Sequence, residues 1–90
     1  MKVLKFGAVW CSGCLVMKPR WKEIESERPW LDTEYHDFDD DRETADRYGV
    51  AGGNLPVFVF LDRNGQEFLR LQGEVSRADL VRTVEENRER

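Results

Sequence analysis

The chain lacks several features that large, membrane-bound or nucleic-acid-binding proteins need. It has only 90 residues, two cysteines and one histidine, and no apolar run approaches the ~18 residues of a membrane span. Its start, MKVLKFGAVW, lacks the apolar core of a signal peptide. A net charge of −4 excludes the excess of Lys and Arg that nucleic acids and anionic membranes attract. These absences predict a single cytoplasmic domain over residues 1–90 that is a monomer with no nucleic-acid or membrane partner.

Hydrophobic patterning predicts an α/β domain with the element order βαβαββα. The predicted strands are rich in apolar residues and cover residues 2–9, 34–38, 57–61 and 67–72. The predicted helices run from Cys11 to near Arg28, from Asp40 to Tyr48, and from Ser76 onward, and the last two start at capping residues. Because a helix joins the first two strands, they should be parallel, whereas Asn64-Gly65 predicts an antiparallel hairpin between the last two. The result is a four-stranded mixed sheet flanked by helices.

Both cysteines lie in one short stretch, WCSGC at residues 10–14, which follows the first predicted strand. Three interpretations are open: a structural disulfide, part of a metal site, or a redox pair. A structural disulfide that closes a four-residue loop would stabilise the fold by only ~2 kcal/mol, against ~4.7 kcal/mol for one that closes a 100-residue loop. A structural zinc site wants four N or S ligands, and His36 is the only histidine. The redox pair is therefore favoured, while a metal site shared between two chains stays open.

The position of the pair at a helix start favours thiol chemistry. Free backbone N–H groups and the helix dipole stabilise a thiolate there and lower the pKa of the thiol. Cys14 shares a helix face with Met17, Trp21 and Ile24, so we expect Cys14 to face the core and Cys11 to be more exposed. We therefore predict that Cys11 attacks a substrate disulfide and that Cys14 then displaces the substrate from Cys11.

Further motifs resemble the thioredoxin family over residues 3–87. The matching features are Trp10-Cys11-x-x-Cys14, Pro19, Tyr48-Gly49-Val50, Leu55-Pro56, Asn64-Gly65 and Gly73. The resemblance implies a thioredoxin-like fold and a protein-disulfide reductase that takes part in electron transport and cell redox homeostasis. It also implies protein disulfide substrates, a thioredoxin reductase-like electron donor and no bound organic cofactor.

The same resemblance implies a substrate-binding surface around the cysteines, formed by Trp10, Ser12, Gly13, Leu55 and Pro56. Leu55-Pro56 would be a cis peptide bond that faces the cysteines and presents the backbone of Leu55 to an extended substrate segment. Trp10 would be a flat apolar wall beside Cys11.

The sequence departs from the typical thioredoxin at four points. It begins directly at the strand before the cysteines, as the shorter glutaredoxins do, and Ser12-Gly13 stands where Gly-Pro is usual. The segment 51–54 before Pro56 is longer, and Lys5 occupies the position of a buried acid that accepts a proton from the resolving thiol. We hypothesise that the charge of Lys5 tunes Cys14, the alternative being that the lysine simply reaches solvent.

Two other functions are compatible with the sequence. Chain length favours a glutathione-linked, glutaredoxin-like enzyme, although the WCSGC stretch and Leu55-Pro56-Val57 weigh against it. The second is a non-catalytic module that senses redox state or carries a metal between chains.

Overall fold

Four strands and three helices follow one another in the predicted order, with one 3-10 turn added at Gly52–Asn54. The structure, a computed structural model, describes residues 1–90. The strands are β1 (Lys2–Gly7), β2 (Asp32–Asp37), β3 (Val57–Leu61) and β4 (Glu67–Gln72). The helices are α1 (Ser12–Glu27), α2 (Arg42–Arg47) and α3 (Arg77–Glu86). No helix combines the length and the apolar character that crossing a membrane requires.

The strands form one mixed sheet in the order β2-β1-β3-β4. As predicted, β1 runs parallel to β2, and β3 runs antiparallel to β4. Strand β3 also runs antiparallel to β1. All five residues of β3 are buried, which explains its uninterrupted apolar sequence. The edge strand β2 has no fully buried residue, so its hydrophobic alternation is weak.

The core consists of two clusters, one on each face of the sheet. Side chains alternate along β3, so Phe58 and Phe60 join one cluster while Val57 and Val59 join the other. Helices α1 and α3 cover the first face with buried apolar residues, namely Met17, Trp21, Ile24, Leu80 and Val84. Helix α2 covers the second face through Ala45. The face under α1 and α3, hereafter the α1 face, is the one that carries Lys5 of β1 and Phe58 of β3.

Three predicted elements had boundaries that were wrong by one or two residues. Strand β1 ends at Gly7 rather than at residue 9, and Val9 is 80% exposed. Strand β2 starts at Asp32 and ends at Asp37 rather than spanning residues 34–38. Helix α1 has Cys11 as its cap and begins at Ser12, and it continues through Pro19 to Glu27.

The predicted cap of α2 was also wrong. The cap is Asp41 rather than Asp40, and its carboxylate accepts the backbone N–H of Thr44 at 3.2 Å. The carboxylate of Asp37 accepts the N–H groups of Asp39 and Asp40 and holds them in a preceding turn. The chain can therefore enter the helix only after Asp41. The predicted cap of α3 is confirmed, since the Ser76 hydroxyl accepts the N–H of Asp79 at 3.1 Å.

Candidate active site

The two cysteines lie at the N-terminus of α1, where they are joined by a disulfide with their Cα atoms 5.2 Å apart. Cys11 caps the helix, and its Sγ accepts the backbone N–H of Cys14 at 3.2 Å. Ser12 and Gly13, between them, form the start of the helix. N–H donors and the helix dipole favour negative charge at this position. The geometry therefore favours a thiolate on Cys11 when the disulfide is reduced.

The exposures of the two cysteines are the reverse of the prediction. Cys11 is buried, with 8% of its surface exposed, and belongs to the same apolar cluster as Ala8 and Phe38. Cys14 is only half-buried. The Cys14 sulfur packs against Gly7, since a Cβ built on this residue would lie 3.3 Å from Cys14 Sγ. Since Gly7 has no side chain, the Cys14 sulfur can approach the backbone of β1 closely at this position.

The loop before β3 faces the cysteines as the resemblance implied. The Leu55-Pro56 peptide bond is cis. Pro56 packs against the cysteine segment, since a Cβ built on Gly13 would lie 3.2 Å from Pro56 Cδ. Leu55 is half-buried, and its backbone takes part in none of the backbone hydrogen bonds outside the helices and strands. The Leu55 backbone is thus free to pair with another chain beside the disulfide.

Trp10 exposes an apolar surface next to Cys11. Its side chain is 57% exposed, and its Nε1 donates a hydrogen bond to the carboxylate of Asp39 at 2.7 Å. This hydrogen bond ties one edge of the indole to Asp39, while more than half of the residue stays accessible. Val9 and Leu15, close to the pair in sequence, are also exposed apolar residues. Three exposed apolar side chains, those of Val9, Trp10 and Leu15, thus lie close to the cysteines in the sequence.

Lys5 points into the fold rather than reaching solvent. Its side chain is 17% exposed, and its Nζ binds the Glu25 carboxylate of α1 at 2.6 Å. The ammonium also lies 5.9 Å from the centre of the Trp21 ring. Sequence reasoning missed Glu25, although a lysine on the inner face of a central strand needs a carboxylate partner. Helix α1 offers three glutamates near its end, and only the packing of α1 on the sheet selects Glu25.

A cavity of about 40 Å³ lies between α1 and the sheet. Lys5, Gly7, Cys14, Trp21 and Tyr35 are among the residues that line it. The structure thus brings Lys5 and Cys14 to one cavity, as the tuning hypothesis requires. Tyr35 was not a predicted site residue, and the signal that could have found it is its place beside Lys5 in a parallel strand pair.

The side chains of the chain do not assemble a metal site from three or more His, Cys, Asp or Glu residues. His36 is bound on both ring nitrogens, to Asp41 at 2.8 Å and to Glu34 at 3.1 Å. The contacts of His36 are thus with carboxylates of its own strand and of the cap of α2.

Comparison with known proteins agrees with this geometry. The family model described as thioredoxin matches residues 1–86. Thioredoxin H7 of Arabidopsis thaliana is 36% identical over 88 residues, which make up 96% of this chain and 64% of the plant protein. The chain therefore spans somewhat less than two thirds of the length of that relative.

Solved structures confirm the predicted fold class. Thioredoxin NaTrxh from Nicotiana alata superposes with a TM-score of 0.85 at 26% identity, over 96% of this chain and 71% of that one. Thioredoxin from Fasciola hepatica superposes with a TM-score of 0.85 at 29% identity, over 96% of this chain and 79% of that one. With its cysteine pair at the start of α1 and the Leu55-Pro56 loop opposite, the chain belongs to the thioredoxin family.

Proposed function

We propose that this chain is a thiol–disulfide oxidoreductase that exchanges its Cys11–Cys14 pair with disulfides of other proteins. The observation that carries the proposal is the hydrogen bond from the Cys14 N–H to Cys11 Sγ at the helix start. It makes Cys11 the better anion and therefore the nucleophile, although Cys11 is the more buried residue. Cys14, on the next turn and within disulfide reach, resolves the mixed disulfide.

In the reducing direction the reaction has two balanced steps. The Cys11 thiolate attacks one sulfur of a substrate disulfide, forms a mixed disulfide, and expels the other substrate sulfur as a thiolate that takes up a proton. Cys14 then loses its proton and attacks the Cys11 sulfur. The Cys11–Cys14 disulfide forms, and the second substrate sulfur leaves as a thiolate and is protonated. The substrate gains two electrons and the chain loses two.

Two surface features support a protein as the substrate. The free backbone of Leu55 suits an extended segment that adds hydrogen bonds beside the disulfide. The exposed face of Trp10 offers apolar contact on the other side of Cys11.

The proposal includes a thioredoxin reductase-like donor, a monomeric state and a cytoplasmic role in electron transport and redox homeostasis. Membership of the thioredoxin family supports the donor, since thioredoxins act with reductase partners. The monomeric state and the cytoplasmic location remain predictions of the sequence.

Insulin reduction tests the function. The chain should reduce insulin disulfides with NADPH and a thioredoxin reductase, and glutathione with its reductase should support much slower turnover. Turnover with glutathione alone would instead favour the glutaredoxin-like enzyme. No turnover with either donor, together with stoichiometric metal in protein purified without chelators, would favour the non-catalytic module.

Replacing Trp10 should weaken substrate docking without touching the thiol chemistry. We expect Trp10→Ala to raise KM for insulin about fivefold, because apolar contact worth ~1 kcal/mol is lost. Reduction of a small aromatic disulfide, which does not need the docking surface, serves as the control and should change little. An equal loss with both substrates would show that Trp10 acts on the cysteines rather than on docking.

Replacing Lys5 should disfavour the Cys14 thiolate. Lys5→Met removes a positive charge from the cavity and leaves the Glu25 carboxylate without its partner, so the pKa of the Cys14 thiol should rise. Thiol titration in a Cys11→Ser background measures this. The matched control is Lys5→Met with Glu25→Gln, which removes both charges and should bring the pKa back towards the starting value. Unchanged pKa values in both variants would remove Lys5 from the mechanism.

A further inference from the structure

A tyrosine hydroxyl and the Cys14 sulfur border the same small space above Gly7. A Cβ built on Gly7 would lie 3.1 Å from the Tyr35 hydroxyl oxygen and 3.3 Å from Cys14 Sγ. Only glycine at position 7 lets both groups come this close to the strand, since a Cβ there would press on both. The Tyr35 hydroxyl and the Cys14 sulfur are therefore near neighbours beside residue 7.

The sheet explains how Tyr35 comes to this position. Strand β2 pairs in parallel with β1, and Tyr35 is in register with Lys5. Both side chains line the cavity on the α1 face. Because β2 is an edge strand, Tyr35 stays 57% exposed while its hydroxyl reaches over Gly7. The hydroxyl therefore stands where the cavity beside Cys14 meets solvent.

Two lysines, Lys5 and Lys18, are the charged groups that line the cavity beside Cys14. The ammonium of Lys5 is held by Glu25 at 2.6 Å, and the side chain of Lys18 is exposed to water. The Tyr35 hydroxyl makes no hydrogen bond with any protein group, so it is free to donate one. Burial, and the charges of Asp37 and Asp40, raise the pKa of Tyr35 above its ordinary value. The phenol therefore keeps its proton at neutral pH and can donate to an anion.

We propose that the Tyr35 hydroxyl donates a hydrogen bond to the Cys14 thiolate and thereby speeds the step in which Cys14 resolves the mixed disulfide. The inference rests on the proposed function. Cys14 loses its proton to solvent in the cavity, and the phenol donates to the sulfur without giving up its own proton. As the Cys11–Cys14 bond forms and the substrate thiolate leaves, the charge on Cys14 disappears and the hydrogen bond ends. Tyr35 thus stabilises the state from which the attack starts.

The first test measures the pKa of Cys14 from the pH dependence of iodoacetamide alkylation in a Cys11→Ser background. Tyr35→Phe keeps the ring and removes only the hydroxyl. It should raise the pKa by about one unit and slow alkylation at neutral pH about tenfold, as expected for one hydrogen bond to a charged group. The matched control is Tyr48→Phe, the only other tyrosine, which packs on the opposite face of the sheet and should change nothing.

The same pH profile distinguishes a hydrogen bond to the Cys14 thiolate from steric shielding of the Cys14 sulfur. If Tyr35 donates to the thiolate, the alkylation rates of the Phe variant and its parent should converge at high pH, where Cys14 is ionised in both. A rate that rises at every pH in the Phe variant would mean that the hydroxyl only shields the sulfur from the reagent, and it would overturn the proposal. An unchanged profile would overturn it as well.

The second test uses both cysteines. A mixed disulfide between Cys11 and a peptide thiol should release the peptide about tenfold more slowly in Tyr35→Phe at neutral pH. The difference should vanish at high pH. If the wild type reduces insulin but release is unaffected, the role of Tyr35 is wrong and the proposed function stands. If the alkylation pKa shifts but the wild type reduces no disulfide, the hydrogen bond is supported and the proposed function fails.

Discussion

Cys11→Ser should reduce insulin at less than about 1% of the wild-type rate, because a serine hydroxyl at neutral pH is a far poorer nucleophile than a thiolate. Cys14 cannot replace it, since its sulfur does not accept the backbone N–H that Cys11 Sγ accepts. The loss is measured as the rate of insulin reduction in the presence of a saturating concentration of reductant.

The variant at the second cysteine should fail in a different way. Cys14→Ser keeps the attacking thiolate but cannot resolve, so covalent complexes with substrate proteins should accumulate on non-reducing gels and disappear on reduction. The double variant is the control and should trap nothing. Trapping by Cys11→Ser but not by Cys14→Ser would reverse the two roles.

Trp21→Ala should cause the largest loss of stability of any tryptophan substitution, lowering the free energy of unfolding by ~3–5 kcal/mol. Trp21 is 2% exposed, and its ring packs against Phe58 and Phe60 with centroid distances of 5.3 and 6.4 Å. Its removal would empty the centre of the cluster on the α1 face. Urea unfolding measures the effect. The slope of the free energy of unfolding against urea concentration should be the same in the variant and the wild type.

Two further variants test whether the loss of stability in Trp21→Ala comes from lost packing in the core. Trp10→Ala removes the same side chain from the surface and should lower the free energy of unfolding by less than ~1 kcal/mol. Trp21→Phe should cost less than Trp21→Ala, because an aromatic ring remains and the Trp21 Nε1 has no hydrogen-bond partner to lose. A loss below ~1 kcal/mol for Trp21→Ala would contradict the assigned core.

Local sequence patterns predicted the helices and strands well where these depend on interactions between residues close together in the sequence. The buried stripe of α1 was predicted from periodicity, and Met17, Trp21 and Ile24 are indeed at most 2% exposed. Strand β3 was predicted from its apolar run, and the Ser76 cap from its spacing to Asp79. The α2 cap failed because Asp39, Asp40 and Asp41 are chemically equivalent. A contact from Asp37 decides among them, and composition cannot show it.

The residues of the site also fall into those that could be predicted from the sequence and those that could not. The cysteine pair, Trp10 and the Leu55-Pro56 loop could be found from motifs and the family resemblance. The relative exposure of the cysteines could not, because helical periodicity shows which residues share a face but not what lies opposite them. Gly7 on β1 lets the Cys14 sulfur approach the sheet, and Tyr35 and Glu25 come from separate elements. Contacts of this kind depend on how strands and helices pack.

The central claim is that capping by the Cys14 N–H, rather than exposure, makes Cys11 the reactive thiol. Limited alkylation of the fully reduced wild type at mildly acidic pH, followed by peptide mapping, tests it most directly. The claim predicts that the label is on Cys11 and that its pKa is within the range of about 3.5–7.5 known for cysteines in such environments, those of thioredoxins included. Labelling of the more exposed Cys14 first, with Cys11 titrating near the ordinary value of about 8.5, would contradict it.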